Sequence, residues 1–157
     1  MIVRWERGRV EVDRLIADGR IERVAASRQL ADLLLTQARA HLGTAAASAA
    51  ADPTAAFQVA YDAARKSLAA VLAVQGLRAR ALPGAHAVLL DVVLAQLDPP
   101  LGPTLRHFDW LRRIRNAAEY PSLESPGIAL DDAQDAVDLA SAIVDASERV
   151  VPSMPVY

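Results

Sequence analysis

Apolar residues recur at spacings of three and four along nearly the whole chain, and the alternating Val, Ile, Thr and aromatic runs of half-buried strands are nearly absent. Much of the apolar content is alanine, about one residue in five, which enters a helix without losing side-chain entropy. The pattern predicts an all-α protein, an up-and-down bundle of four or five helices. A chain of 157 residues suits one domain, with about two thirds of the unfolded surface buried on folding. The reading takes 1–157 as a single helical domain with an N-terminal arm at 1–9 and a C-terminal tail at 152–157.

The absence of cysteine excludes disulfides, Cys-ligated zinc, iron–sulfur clusters and a thiol nucleophile. The three histidines, His41, His86 and His107, are scattered and form no close constellation with Asp or Glu, so no metal and no other cofactor is expected. Mean hydropathy is +0.17, but no stretch of eighteen apolar residues runs without a charge or a breaker, so no membrane partner is expected. The N-terminus carries charges where a signal peptide needs an apolar run, and the expected compartment is the cytoplasm. A net charge of -2 provides no global basic field for nucleic acid. Charge is uneven, however: Thr104 to Tyr120 carries Arg106, Arg112, Arg113 and Arg115 against Asp109 and Glu119, whereas Asp131 to Glu148 is acidic throughout. Lys66 is the only lysine, a bias that genomic base composition explains more simply than phosphate binding.

Apolar periodicity predicts a short helix from about Val10, broken at Asp18-Gly19, and a long one that fades before Asp52-Pro53. The next helix opens at Pro53-Thr54 and presents Phe57, Ala60, Tyr61, Ala64, Leu68, Val71 and Leu72 on one face, with Gly76 placed to end it. Arg78 to Pro83 reads as a connector, Gly84 to Leu97 as the third helix of the bundle, and the proline-rich 98–103 as its stop. A fourth helix is expected from Thr104, with Leu105, Phe108, Leu111 and Ile114 inward, until Pro121. The last runs from Asp131 to about Val150, its paired aspartates at the positive end of the helix dipole.

The most informative stretch is Phe108-Asp-Trp-Leu-Arg-Arg-Ile-Arg-Asn-Ala-Ala-Glu-Tyr-Pro121. Arg112, Arg115 and Glu119 fall along one side of this helix, next to its apolar face, with Asn116 as neighbour. Such a string is a solvated salt-bridge ladder in most helices; alternatively it lines a cleft. Asp62 and Arg65, three apart on the second long helix, either reach Arg115 across the bundle or pair with each other. His86, at a helix opening, either caps the preceding loop or folds toward Arg115. His107 is a weaker candidate for that role, and His41 reads as surface or interface. Trp110 reads as packing rather than a base-stacking platform.

Arg-Asn-x-x-Glu-Tyr-Pro near the end of the penultimate helix of a small α-bundle resembles the HEPN family, the higher eukaryote and prokaryote nucleotide-binding domains. The helix from Phe57 to Arg78 and the Gly84-Ala-His86 opening are similar to their counterparts in actinobacterial HEPN-like proteins. The resemblance implies a homodimer in which two copies of an Arg–polar–x(3–5)–His motif form a metal-independent RNA-cleaving site. Arg115 matches the motif arginine and Asn116 the polar residue, while Tyr120 stands where the histidine belongs. A tyrosine of ordinary pKa, about 10, is a poor general base at neutral pH, although it donates a hydrogen bond to phosphate. The expectation is a phosphate- or nucleotide-binding cleft formed by Arg112, Arg115, Asn116, Glu119, Tyr120, Asp62 and Arg65 at a dimer interface, with little or no ribonuclease activity. The resemblance also implies a toxin–antitoxin setting with a nucleotidyltransferase partner. Two alternatives stand beside this: a helical interaction module without ligand, and an active ribonuclease in which His86 supplies the missing imidazole.

Overall fold

The computed structural model describes residues 5–157. Its elements in chain order are α1 (Arg9–Ala17), β1 (Ile21–Arg23), α2 (Arg28–Ser48), α3 (Pro53–Gln75), β2 (Leu77–Ala79), α4 (Ala85–Leu97), α5 (Gly102–Leu105), α6 (His107–Ala118) and α7 (Leu130–Val150), closed by a 3-10 turn at Val151–Ser153. The fold is all-α: five longer helices, α2, α3, α4, α6 and α7, build the bundle around one core. Of the expected arm, residues 1–4 lie outside the described residues. Trp5 packs on the core and donates its indole N–H to the Gln96 carbonyl at 3.1 Å, and α1 begins at Arg9, within the span read as arm.

Local signals set the helix ends. Ser27 Oγ caps α2 by accepting from the Leu30 amide at 3.0 Å, and Asp52 caps α3 by accepting from the Ala55 amide at 3.0 Å. Gly76 ends α3 at φ 77, a left-handed conformation in which an added Cβ would stand 2.8 Å from the Val24 carbonyl oxygen.

Two expectations give way. The connector after Gly76 contains a strand, because β2 pairs antiparallel with β1 in the register Ile21↔Ala79, Glu22↔Arg78 and Arg23↔Leu77. Ile21 and Leu77 point into the core and Glu22 pairs with Arg78 at 2.7 Å on the outside. Three-residue strands are too short for alternation to register in the sequence. The helix expected from Thr104 is in fact two, α5 and α6, joined at Arg106, whose side chain pairs with Asp98 while its backbone, at φ -63 and ψ -21, tightens the turn.

α3 runs through the middle. Small residues at Ala56, Ala60, Ala63, Ala64, Ala70 and Ala73 are buried on several sides of it, so α2, α7, α6 and α4 all pack against it. Its end carries a buried polar pair: Gln75 and Gln96 exchange amide hydrogen bonds at 2.9 and 2.7 Å, and both are essentially inaccessible. Gln96→Leu leaves the buried Gln75 Oε1 without its donor, while Gln75 Nε2 keeps its bond to the Val71 carbonyl at 2.9 Å; the change is expected to cost about 1–3 kcal/mol, and adding Gln75→Leu to recover much of that loss. Urea unfolding of the two variants measures this; a double variant no more stable than the single would contradict it.

Candidate functional site

The site is assembled where α6 crosses α3. Phe108 stacks on Tyr61 with ring centroids 5.3 Å apart and an interplanar angle of 17°, and Trp110 meets Phe57 edge-on at 5.5 Å. These contacts bury the inner face of α6 and leave the flanking Arg115 over the Tyr61 ring, with its guanidinium carbon 5.5 Å from the ring centroid. From the first turn of α4, His86 brings Nδ1 to 2.6 Å from the Tyr61 hydroxyl. A cleft of about 450 Å³ opens above these groups, lined by His41, Tyr61, Asp62, Arg65, His86 and Arg115 among others.

Protonation follows from burial. Tyr61 is buried, and desolvation pushes its phenol up to about 12 against the opposing pull of Arg115 and Arg65. Desolvation, aided by Arg65 and Arg115, holds His86 below its ordinary 6.5. Near neutral pH both groups are uncharged. His86 is the sole hydrogen-bond partner of the Tyr61 hydroxyl among the described residues; the phenol therefore donates to Nδ1, since the reverse would leave the O–H without a protein acceptor. The imidazole proton then sits on Nε2.

The cations have carboxylate partners on the rim. Arg65 Nε donates to Asp62 Oδ1 at 2.9 Å, and Asp62 also meets His41 at 3.3 Å and Lys66 at 3.7 Å. Arg115 pairs with Glu119 at 3.0 Å and keeps about a third of its side chain exposed. On the other side of His86 a smaller hollow of about 230 Å³ is lined by Gly84, Arg112 and Asn116. Arg112 Nη2 donates to Asp109 at 2.8 Å, and its Nε is buried without a partner.

A family model described as HEPN domain matches residues 31–150. The chain belongs to the HEPN domain family. No curated protein and no solved structure matches the chain. No described helix is long and apolar enough to cross a membrane.

Within this HEPN domain, Arg115, Asp62, Arg65 and His86 share one cleft. Arg112 and Asn116 line the adjoining hollow, and Glu119 reaches the cleft through its ion pair with Arg115. Tyr120 stands apart, 83% exposed. Its position explains this: α6 ends at Ala118, and a residue five beyond Arg115 points away from it where one four beyond, Glu119, does not. Asp62 and Arg65 pair with each other rather than with Arg115. His107 is exposed at the start of α6. The described hydrogen bond of His86 joins its Nδ1 to the Tyr61 hydroxyl rather than to the loop before α4.

Two cleft residues escape the sequence reading. Tyr61 reads as core by its apolar neighbours, yet its hydroxyl end orients His86; the signal available was Arg65 one turn on, the same face turning polar. His41 approaches Asp62 from α2, a tertiary contact with no local signature.

The depressed His86 pKa has a sign. As pH falls through 6.5 the unfolded chain takes up a proton that the folded chain refuses, so stability declines with falling pH. In NMR titrations, Arg65→Met and Arg115→Met are each expected to raise the His86 pKa without restoring 6.5, because desolvation is the larger cause. An unchanged pKa in both variants would contradict the assignment.

Proposed function

We propose that this HEPN-domain protein holds the phosphate of a nucleotide or of RNA in the Arg65–His86–Arg115 cleft, as a homodimer, with little or no ribonuclease activity. The observation carrying this reading is the convergence of the Arg65 and Arg115 side chains and His86 on one cleft of ligand size. Arginine presents paired donors to phosphate, and the partly exposed pair with Glu119 contributes only about 0–1 kcal/mol, so an arriving anion displaces the carboxylate at small cost. Binding rather than cleavage is supported by the state of His86. Its Nδ1 lone pair already accepts from the Tyr61 phenol, which denies it to a substrate hydroxyl, and its low pKa disfavours the imidazolium needed to protonate a leaving group.

Dimerisation is supported by Tyr120 and Leu123, large apolar side chains 83% and 102% exposed in the segment after α6, the kind of surface a second copy covers. The reading extends to a nucleotidyltransferase partner in a toxin–antitoxin setting.

Calorimetric titration with UMP and a short single-stranded RNA tests the reading. Arg115→Ala is expected to weaken both by about tenfold or more, Glu119→Gln to strengthen them by freeing the guanidinium, and Tyr120→Phe to leave them unchanged. Equal binding by wild type and Arg115→Ala would overturn it. On a gel the wild type is expected to leave RNA intact; cleavage lost in His86→Ala or His41→Ala would replace a binding site by a catalytic one.

A further inference from the structure

Beside the polar cleft, an apolar groove of about 560 Å³ runs between the start of α2, the second half of α3, β2 and the start of α4. Val24, Leu30, Leu34, Leu72, Leu77 and Leu89 form its walls, and Leu30 is 46% exposed at its mouth. Arg65 and His86 line both the groove and the cleft. A ligand whose anionic end sits between these two residues therefore has a dry surface next to it on the side away from Arg115.

We infer that this groove receives the base of a nucleotide whose phosphate lies in the cleft, and that the site accepts any of the common bases. The inference rests on the phosphate-binding reading of the cleft. A nucleobase has apolar faces and a polar edge, and a groove open on one side buries a face against aliphatic side chains while leaving the edge in water. Discrimination between bases needs donors and acceptors aimed at that edge. The groove's polar side chains serve the phosphate or stand at its rim: Arg65 and His86 face the anion, His86 Nδ1 is bound to the Tyr61 phenol, and Arg78 bonds Glu22 at 2.9 and 2.7 Å on the exposed β1–β2 ladder. Apolar contact then supplies the affinity, which grows with the area covered, so purines gain modestly over pyrimidines.

The full chain is titrated calorimetrically with AMP, GMP, CMP, UMP, octyl phosphate and ribose 5-phosphate. The four nucleotides are expected within about fivefold of one another and about tenfold tighter than ribose 5-phosphate. Ala69→Phe, which fills the groove from α3, and Leu30→Gln, at its exposed mouth, are expected to reduce that tenfold gain while ribose 5-phosphate binds as before. Two variants at sites of different burial keep a folding defect in one from deciding the result. Nucleotides no tighter than ribose 5-phosphate, with both still dependent on Arg115, would overturn the groove assignment and leave the cleft reading standing. Octyl phosphate outbinding every nucleotide, a preference of about fiftyfold for one base, or loss of dimer mass in Ala69→Phe would also overturn it. No binding by any of the six would remove the cleft reading itself.

Discussion

The aromatic contact between α3 and α6 determines where every polar group of the cleft stands. Phe57 and Tyr61 on α3 meet Trp110 and Phe108 on α6 in two pairs whose centroids lie 5.5 and 5.3 Å apart. Phe57, Tyr61 and Phe108 are buried and Trp110 partly so, which makes the crossing costly to shift. With α6 anchored there, Arg115 falls over the Tyr61 ring. With Tyr61 fixed, its hydroxyl has one partner among the described residues, His86 at the start of α4. Three helices, α3, α4 and α6, thereby contribute to one cleft.

Burial has a second consequence, in charge. The same desolvation raises the Tyr61 phenol further above neutral and lowers the His86 imidazole, so the centre of the cleft is an uncharged hydrogen-bonded pair flanked by Arg65 and Arg115. Asp62 and Glu119 temper those cations at the rim. Such an arrangement favours an anion without needing a basic surface, which reconciles a phosphate-binding reading with a net charge of -2.

The helical framework was largely legible in the sequence, because caps and breakers are local. Asp52-Pro53 and Gly76 bracket α3 as their backbone preferences require. The β1–β2 ladder was not legible, since three residues carry no usable periodicity and the pairing depends on where α1 and α3 end. In the site, the helical spacing of Arg112, Arg115 and Glu119 identified the face of α6, and the family resemblance singled out Arg115. Counting along the motif also put Tyr120 in the cleft, where helix geometry does not. Tyr61 and His41 were hidden for a different reason: their partners, His86 and Asp62, lie on other helices, and only the packed bundle brings them together.

The central claim is that an anion occupies the space beside His86 and Arg115, and the His86 imidazole is its most direct reporter. Long-range nitrogen–proton NMR spectra recorded across pH, with and without inorganic phosphate, follow Nδ1 and Nε2 separately. The account predicts that the free protein shows the Nε2–H form near neutral pH, and that saturating phosphate shifts the Nε2 signal and raises the His86 pKa, because a nearby anion favours the charged ring. A His86 resonance and pKa indifferent to phosphate would contradict it.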